Sequence, residues 1–202
     1  MSISAADVKA LRDRTGAAMM DCKAALAESE GDVDRAIEIL RVKGQASAAK
    51  REGRGTGEGV VASYVHANDK VGAMVEVQCE TDFVARNEDF KAFAYEVALH
   101  VAASAPRYVN AEEIPAEERE AERRVFEEKA REDGKPDDVV EKIVEGQLAK
   151  WAKEVALLDQ EHVNAEKHES KTIEQLRQEL AAKTGENVRV ARFAYFRVGE
   201  GD

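Results

Sequence analysis

Residues 71–79, VGAMVEVQC, alternate in side-chain character along the chain. The following residues share one face of an extended strand: Val71, Ala73, Val75, Val77 and Cys79. Because successive side chains of a strand point to opposite faces, this pattern predicts a β-strand with one buried face. From Phe90 to Val101 the apolar side chains instead recur every three or four residues, which is typical of an amphipathic helix.

Two further segments have the character of strands. Val60–His66 precedes the first strand and is joined to it by the turn-rich residues 67–70. Val188–Val198 is rich in β-branched and aromatic side chains. The residues between the second and third strands have helical spacing, and strands segregated in this way indicate an α+β fold. We therefore expect residues 60–202 to form a core in which helices cover a three-stranded antiparallel sheet.

The N-terminal residues 1–44 predict three short helices separated by the helix-stopping glycines Gly16 and Gly31 and closed by Gly44. Their apolar positions follow helical spacing: Val8, Leu11, Cys22, Ala25, Leu26, Val33, Ala36, Ile37 and Leu40. Residues 45–59 are rich in glycine and locally basic, and no apolar spacing persists there. The sequence thus predicts a three-helix module, a flexible linker over residues 45–59, and the α+β core.

The charge balance disfavours several classes of function. The chain of 202 residues carries 30 Lys and Arg against 41 Asp and Glu, a net charge of −11 with a pI near 5.0. Such a field repels phosphate backbones, so direct nucleic-acid binding is not expected. No apolar run approaches the roughly 18 residues of a membrane-spanning helix. The two cysteines cannot form a disulfide scaffold, which favours a reduced, cytoplasmic setting.

No catalytic constellation is found in the sequence. The glycine-rich residues 53–59 lack the preceding strand and the Gly-Lys-Ser/Thr of a phosphate-binding loop. His162 and His168 lie in a polar stretch without His-Glu-x-x-His spacing, and we interpret them as solvated loop histidines rather than metal ligands. Cys79 alternates with valines and is expected to be a small buried hydrophobe. The sequence therefore predicts a binding protein without a cofactor, a metal or catalytic residues.

Two segments point to a contact surface. Met19 and Met20 follow Gly16, and adjacent methionines cannot both face a three-helix core. At least one is expected to face solvent as an adaptable contact; alternatively, Met19 packs inward and Met20 caps the small core. Phe83, within Thr81–Asn87, is either a lid over the end of the sheet or a projecting wedge. Since phenylalanine is more often buried, the pattern alone favours the lid.

The same two segments carry a resemblance to a known family. Residues 11–26, LRDRTGAAMMDCKAAL, and residues 80–87, ETDFVARN, closely resemble the elongation factor Ts family. Shorter matches support it: Gly31-Asp32, Ala48-Ala49-Lys50, Val144-Glu145-Gly146 and FRVGEG at residues 196–201. Together the matches cover most of the chain, and the first two are highly specific.

The resemblance implies a translation elongation factor that exchanges nucleotide on elongation factor Tu without catalysing a reaction. Such a factor binds the GDP-loaded GTPase, dislodges Mg²⁺ and promotes GDP release so that GTP can rebind. In the family the N-terminal helices form a ubiquitin-associated-like module that touches the GTPase domain; here its contacts would be Arg12, Met19 and Met20. The corner that dislodges Mg²⁺ falls on four consecutive residues: Thr81, Asp82, Phe83 and Val84.

The assembly expected from the sequence is a homodimer. The chain has room for a single three-stranded half-core, and so resembles the short members of the family, in which two copies cooperate. The final strand is apolar on both faces, one carrying Phe196 and Val198 and the other Phe193 and Tyr195. A second copy is the simplest cover for the outer face, unless the helices wrap both faces.

Two other classes of function remain as alternatives. In an adaptor, the three-helix module would bind a ubiquitin-like protein and the chain would be indifferent to GTPases. An enzyme would need a site that the sequence does not reveal.

Overall fold

The computed structural model describes residues 3–200, without the side chains of residues 137 and 138. The chain begins with helices α1 (Ala5–Thr15), α2 (Met19–Glu28) and α3 (Val33–Ala49). Strands β1 (Glu58–Val65) and β2 (Val71–Cys79) follow, and then helices α4 (Asp82–Ala85) and α5 (Glu88–Ser104). The remaining elements are α6 (Ala116–Glu132), α7 (Asp137–Val155), α8 (Ala165–His168), α9 (Ile173–Thr184) and β3 (Arg189–Arg197).

The three strands form an antiparallel sheet of order β1-β2-β3, so β2 is the central strand. Its alternation is reproduced as burial, since Ala73, Val75, Val77 and Cys79 are all buried. The predicted α+β fold, with N-terminal helices and a three-stranded antiparallel sheet, is confirmed. At Gly59 in β1 a Cβ atom would lie 2.2 Å from the carbonyl oxygen of Val77, so only glycine permits this approach of β1 to β2.

The N-terminal helices enclose a small core of their own. Its buried residues are Val8, Leu11, Cys22, Ala25, Leu26, Ala36 and Leu40. Ser4 caps α1 in a capping box with Asp7, and Gly16 ends the helix in a left-handed conformation with φ of +68°. Asp32 caps α3 by accepting a hydrogen bond from the Arg35 N–H.

The sequence predicts that helix α3 ends at Gly44, but the helix continues to Ala49. The residues after Gly44 are Gln-Ala-Ser-Ala-Ala, and alanine and glutamine are good helix formers. One interior glycine costs a helix only about 1 kcal/mol, which this favourable stretch offsets. The first part of the predicted linker is therefore helical, and Ala48 within it is buried.

The chain forms two compact units. The first contains the chain up to Ala62 together with Glu76–Ala94 and Gln175–Val190. The second contains Ser63–Val75, Tyr95–Glu174 and the chain from Ala191. Within the second unit α6 and α7 pack on each other around a cluster of apolar side chains: Ala130, Val140, Val144 and Leu148. Among the described residues, no helix combines the length and the apolar character that crossing a membrane requires.

Candidate functional site

The corner between β2 and α5 is built around a single helical turn. Thr81 caps α4, its Oγ1 accepting a hydrogen bond from the Val84 N–H at 3.5 Å. Asp82 forms an ion pair with Arg86 at 2.9 Å, one turn further along the chain. Ala85 is buried and anchors the turn. The corner is thus a single helical turn, capped by Thr81 and carrying the Asp82–Arg86 ion pair, that joins strand β2 to helix α5.

Phe83 projects from this corner into solvent, with 80% of its surface exposed. The prediction that Phe83 is a lid over the end of the sheet is therefore wrong. Its position is that of the alternative, a projecting wedge. Burial frequencies mislead at this position because residues two apart on a helix point to opposite sides, and Ala85 takes the side that faces the interior. At this exposure the ring is accessible to another molecule.

Glu186, which precedes β3, holds the corner through hydrogen bonds to its carboxylate. Its Oε2 accepts hydrogen bonds from the backbone N–H groups of Glu80 and Thr81, both at 3.0 Å. Its Oε1 accepts the Thr81 hydroxyl at 2.5 Å. Sequence reasoning missed this residue, whose only signal is a polar pair, Glu186 and Asn187, between the helix-stopping Gly185 and a strand.

The second group of predicted contact residues lies on the N-terminal helices. Met19 and Met20 begin α2 and are 45% and 72% exposed, which confirms that at least one methionine faces solvent. The alternative in which Met19 packs inward is not what the structure has. Arg12 is also exposed, near the end of α1.

Helix α9 contacts the turn that separates α1 from α2. The Lys183 side chain lies against Gly16, where a Cβ atom would approach it to 3.1 Å. The ammonium group of Lys183 pairs with Asp89, at the start of α5, at 2.6 Å. The Gly16 turn and the Thr81 corner belong to the same compact unit, and each is contacted by a residue at or just after the end of α9.

The cysteine nearest the corner is buried and has a raised thiol pKa. Cys79 is buried, and its thiol donates to the Thr81 carbonyl at 3.2 Å. Burial, together with the nearby Glu186 carboxylate, raises the pKa of the Cys79 thiol to about 11. The thiolate is therefore scarce at neutral pH, in agreement with the interpretation of Cys79 as a small buried hydrophobe.

A cluster of ligand-type side chains lies in the second unit. The ligand atoms of Glu96, His162 and His168 are within 4.8 Å of one another. The interpretation of these histidines as solvated loop residues is wrong, since His162 is only 1% exposed and His168 is partly buried. Sequence reasoning did not find this burial because the partner Glu96 lies far away, 66 residues before His162.

Existing hydrogen bonds already engage the atoms of this cluster. His162 Nδ1 accepts the Asn164 N–H at 3.1 Å, and Nε2 donates to the Glu96 carbonyl at 3.2 Å. The Lys167 ammonium pairs with the Glu96 carboxylate. Burial opposes ionisation of Glu96, but the hydrogen bond and charge of Lys167, with the His168 hydrogen bond, lower its pKa. A metal at His162 Nε2 would have to replace the hydrogen bond to the Glu96 carbonyl and compete with Lys167 for the Glu96 carboxylate.

Taken together, the described residues present an exposed aromatic on a braced corner and an exposed methionine pair. Aromatic and methionine side chains are enriched where proteins meet, so this pattern favours a protein-binding surface.

The chain is similar to known proteins over nearly its whole length. The family model described as elongation factor TS matches residues 5–200. The elongation factor Ts of Geobacter sulfurreducens is 51% identical over 201 residues, covering 100% of this chain and 92% of its own length. That of Thermosipho melanesiensis is 50% identical over 98% of this chain and 100% of its own length. That of Herpetosiphon aurantiacus is 54% identical over 98% of this chain and 99% of its own length. Matches of this extent show that the chain belongs to the elongation factor Ts family of translation elongation factors.

Proposed function

We propose that the chain is a guanine-nucleotide exchange factor for elongation factor Tu and not a catalyst of covalent chemistry. It binds the GDP-loaded GTPase, dislodges Mg²⁺ and promotes GDP release so that GTP can rebind. Membership of the family supports the partner. The observation that carries the mechanism is Phe83, 80% exposed on a corner fixed by Glu186.

Each group of exposed residues has a role in this proposal. Arg12, Met19 and Met20 bind the GTPase domain, the methionines adapting their flexible side chains to its surface. The corner enters the same domain near the nucleotide and is formed by four residues: Thr81, Asp82, Phe83 and Val84. Asp82 brings a carboxylate, paired with Arg86, to the region where the partner holds its Mg²⁺.

Exchange requires a difference in affinity between two states of the GTPase. A factor accelerates release only by binding the nucleotide-free or Mg²⁺-free form better than the loaded form. A shift of about 10⁴-fold corresponds to about 5.5 kcal/mol. Burying the Phe83 side chain supplies roughly 1.5–3 kcal/mol. The remainder must come from loss of the Mg²⁺ ion and from the other contacts of the corner.

The experiment that tests this function is the release of fluorescent GDP from elongation factor Tu. We expect the parent chain to accelerate release at substoichiometric concentration. Asp82→Ala combined with Phe83→Ala should lower this acceleration strongly. Val125→Ala is the control, because Val125 is also exposed (56%) but lies on α6, outside the corner. A folded double variant that still exchanges at the parent rate would contradict the role of the corner.

We also propose that the chain acts as a homodimer formed through its sheet. Large apolar side chains are exposed on the strands of the second unit, among them Val65 (64%), Met74 (49%) and Phe196 (66%). A symmetric contact between two copies would remove these side chains from water. Light scattering at micromolar concentration should therefore give twice the monomer mass of 22.2 kDa. A monomer under these conditions would overturn the dimer.

A further inference from the structure

We propose that Glu186 is a positioning residue for exchange, which fixes the Thr81 corner so that Phe83 is held ready to enter the partner. This inference rests on the proposed function. Glu186 itself does not touch the partner in the proposal; it acts through the backbone and hydroxyl of Thr81.

The carboxylate of Glu186 makes three hydrogen bonds at the base of the corner. Two come from consecutive backbone N–H groups, of Glu80 and Thr81, and one from the Thr81 hydroxyl. Hydrogen bonds to an ionised carboxylate are about twice as strong as neutral ones, and three of them to one group fix its orientation. The Thr81 hydroxyl donates to Glu186 while its oxygen accepts the Val84 N–H, so Glu186 also orients the cap of α4.

A reciprocal set of contacts fixes Glu186 in turn. The carboxylate of Glu80 accepts the Asn187 N–H at 2.6 Å, so residues 80–81 and residues 186–187 bind each other in both directions. The Asn187 side chain donates to the carbonyl oxygens of Glu52 (3.2 Å) and Arg54 (2.9 Å). These contacts connect the corner to residues 186–187 and, through Asn187, to residues 52–54, two segments of the first unit that are distant from it in sequence.

Besides Glu186, the corner is held by the buried Ala85, by the hydrogen bond from the Cys79 thiol to the Thr81 carbonyl and by the exposed Asp82–Arg86 ion pair. A four-residue helix is not stable by itself, because a single turn costs more conformational entropy than its hydrogen bonds return. Phe83 is in solvent and contributes no packing that would hold the turn. These other contacts of the corner do not engage the N–H groups of Glu80 and Thr81, which bond to Glu186. Without Glu186 the corner would therefore sample more orientations, and binding would have to order it again. Preorganisation removes that cost from the step in which Phe83 enters the partner.

The test compares Glu186→Ala and Glu186→Gln with the parent chain. Saturating GDP-release assays separate the maximal rate from the half-saturating concentration of the chain. We expect Glu186→Ala to lower the maximal rate by about tenfold or more, as for loss of hydrogen bonds to a charged group. The half-saturating concentration should change little, because Arg12, Met19 and Met20 are untouched. Glu186→Gln should lie between parent and Glu186→Ala, since its amide oxygen still accepts the backbone N–H groups.

Two further measurements distinguish positioning from general destabilisation. In the Phe83→Ala background, Glu186→Ala should cause little additional loss of exchange, because both changes disable the same element. Hydrogen exchange should show the amides of Glu80 and Thr81 losing protection in Glu186→Ala, with the β2 amides unchanged. Glu141→Ala, which removes an exposed carboxylate from α7, is the charge-matched control and should match the parent in every assay.

The outcomes separate the two proposals. A parent chain that accelerates GDP release while Glu186→Ala is equally active overturns the role of Glu186 alone. Equal additional losses in the parent and Phe83→Ala backgrounds also overturn it, because Glu186 would then act independently of the corner. A parent chain that does not accelerate GDP release overturns the proposed function, and the role of Glu186 with it.

Discussion

At position 83 a phenylalanine ring lies in solvent, whereas at position 90, in the first turn of α5, another is fully buried. The two rings have the same chemistry and lie close together in sequence, so the difference between them comes from the backbone that carries them. Phe90 is on the apolar face of a long helix, and Phe83 is on a single turn that has no such face. Residue frequencies alone cannot make this distinction, which depends on where the short helix points.

Phe83→Ala should therefore leave the stability of the fold almost unchanged. Substitution of an exposed side chain shifts the free energy of unfolding by about 0.5 kcal/mol or less. Phe90→Ala, the matched comparison, removes a buried ring and should cost about 3–5 kcal/mol. Chemical denaturation of both variants measures the difference. If Phe83→Ala were as destabilising as Phe90→Ala, Phe83 would be part of the core in solution.

Single residues also show what sequence could not predict. That at least one of Met19 and Met20 faces solvent follows from their adjacency after a helix stop, and the structure agrees. The partners of Glu186 lie 105 and 106 residues away, and the partner of His162 lies 66 residues away. No local pattern signals such contacts, because they depend on how the chain folds back on itself.

At the scale of elements, a pair of buried histidines holds the connection between α7 and α9. His100 Nδ1 accepts the Val163 N–H at 3.1 Å, and Nε2 donates to Gln160 at 2.8 Å. His162 accepts the next backbone N–H, that of Asn164, at 3.1 Å.

The rings of His100 and His162 lie 5.4 Å apart, and His162 also faces Glu96, Lys167 and His168. Both acceptor nitrogens require the neutral form of the ring.

This element should weaken at acidic pH. Burial lowers the pKa of His100 to about 4, and burial also lowers the pKa of His162. Because the folded-state pKa lies below the unfolded value of about 6.5, the stabilisation is complete above pH 6.5 and is lost as the pH falls toward 4. For His100 alone the loss between pH 7.5 and pH 5 is about 2 kcal/mol.

The measurement is urea unfolding of the parent chain and of His100→Asn at pH 7.5 and pH 5. The asparagine side chain offers an acceptor for the Val163 N–H but does not titrate. The parent should therefore lose about 2 kcal/mol more than the variant between the two pH values. An identical pH dependence in both proteins would show that His100 is not held neutral by the fold.

The boundaries of elements were harder to predict than their existence. The alternation of β2 and the apolar stripe of α5 were sufficient to predict both elements and which of their faces is buried. Helix α3 was predicted to end at Gly44, since glycine is a common helix stop, yet it continues to Ala49. The helix-forming residues after Gly44 offset the cost of the glycine, and a prediction based on glycine alone does not take them into account.

For the whole molecule, the division into a three-helix module, a linker and a core remains a prediction that deletion can test. The core of α1–α3 consists of residues from these helices alone, whereas the sheet begins at Glu58. A chain lacking residues 1–49 should keep a cooperative thermal transition, at a lowered temperature because contacts such as Gly16 with Lys183 are lost. It should also bind elongation factor Tu severely less tightly. Loss of the transition altogether would show that the core does not fold without the module.

The central claim is that this chain and GDP oppose each other on elongation factor Tu. Linkage requires that if the chain lowers the affinity of the GTPase for GDP, GDP lowers the affinity for the chain by the same factor. The direct measurement is the dissociation constant of the chain for elongation factor Tu, nucleotide-free and saturated with GDP, by calorimetry. We expect much tighter binding to the nucleotide-free form, and dissociation of the purified complex by excess GDP. Equal affinity for both forms would contradict the account, because a ligand that binds two states equally shifts neither.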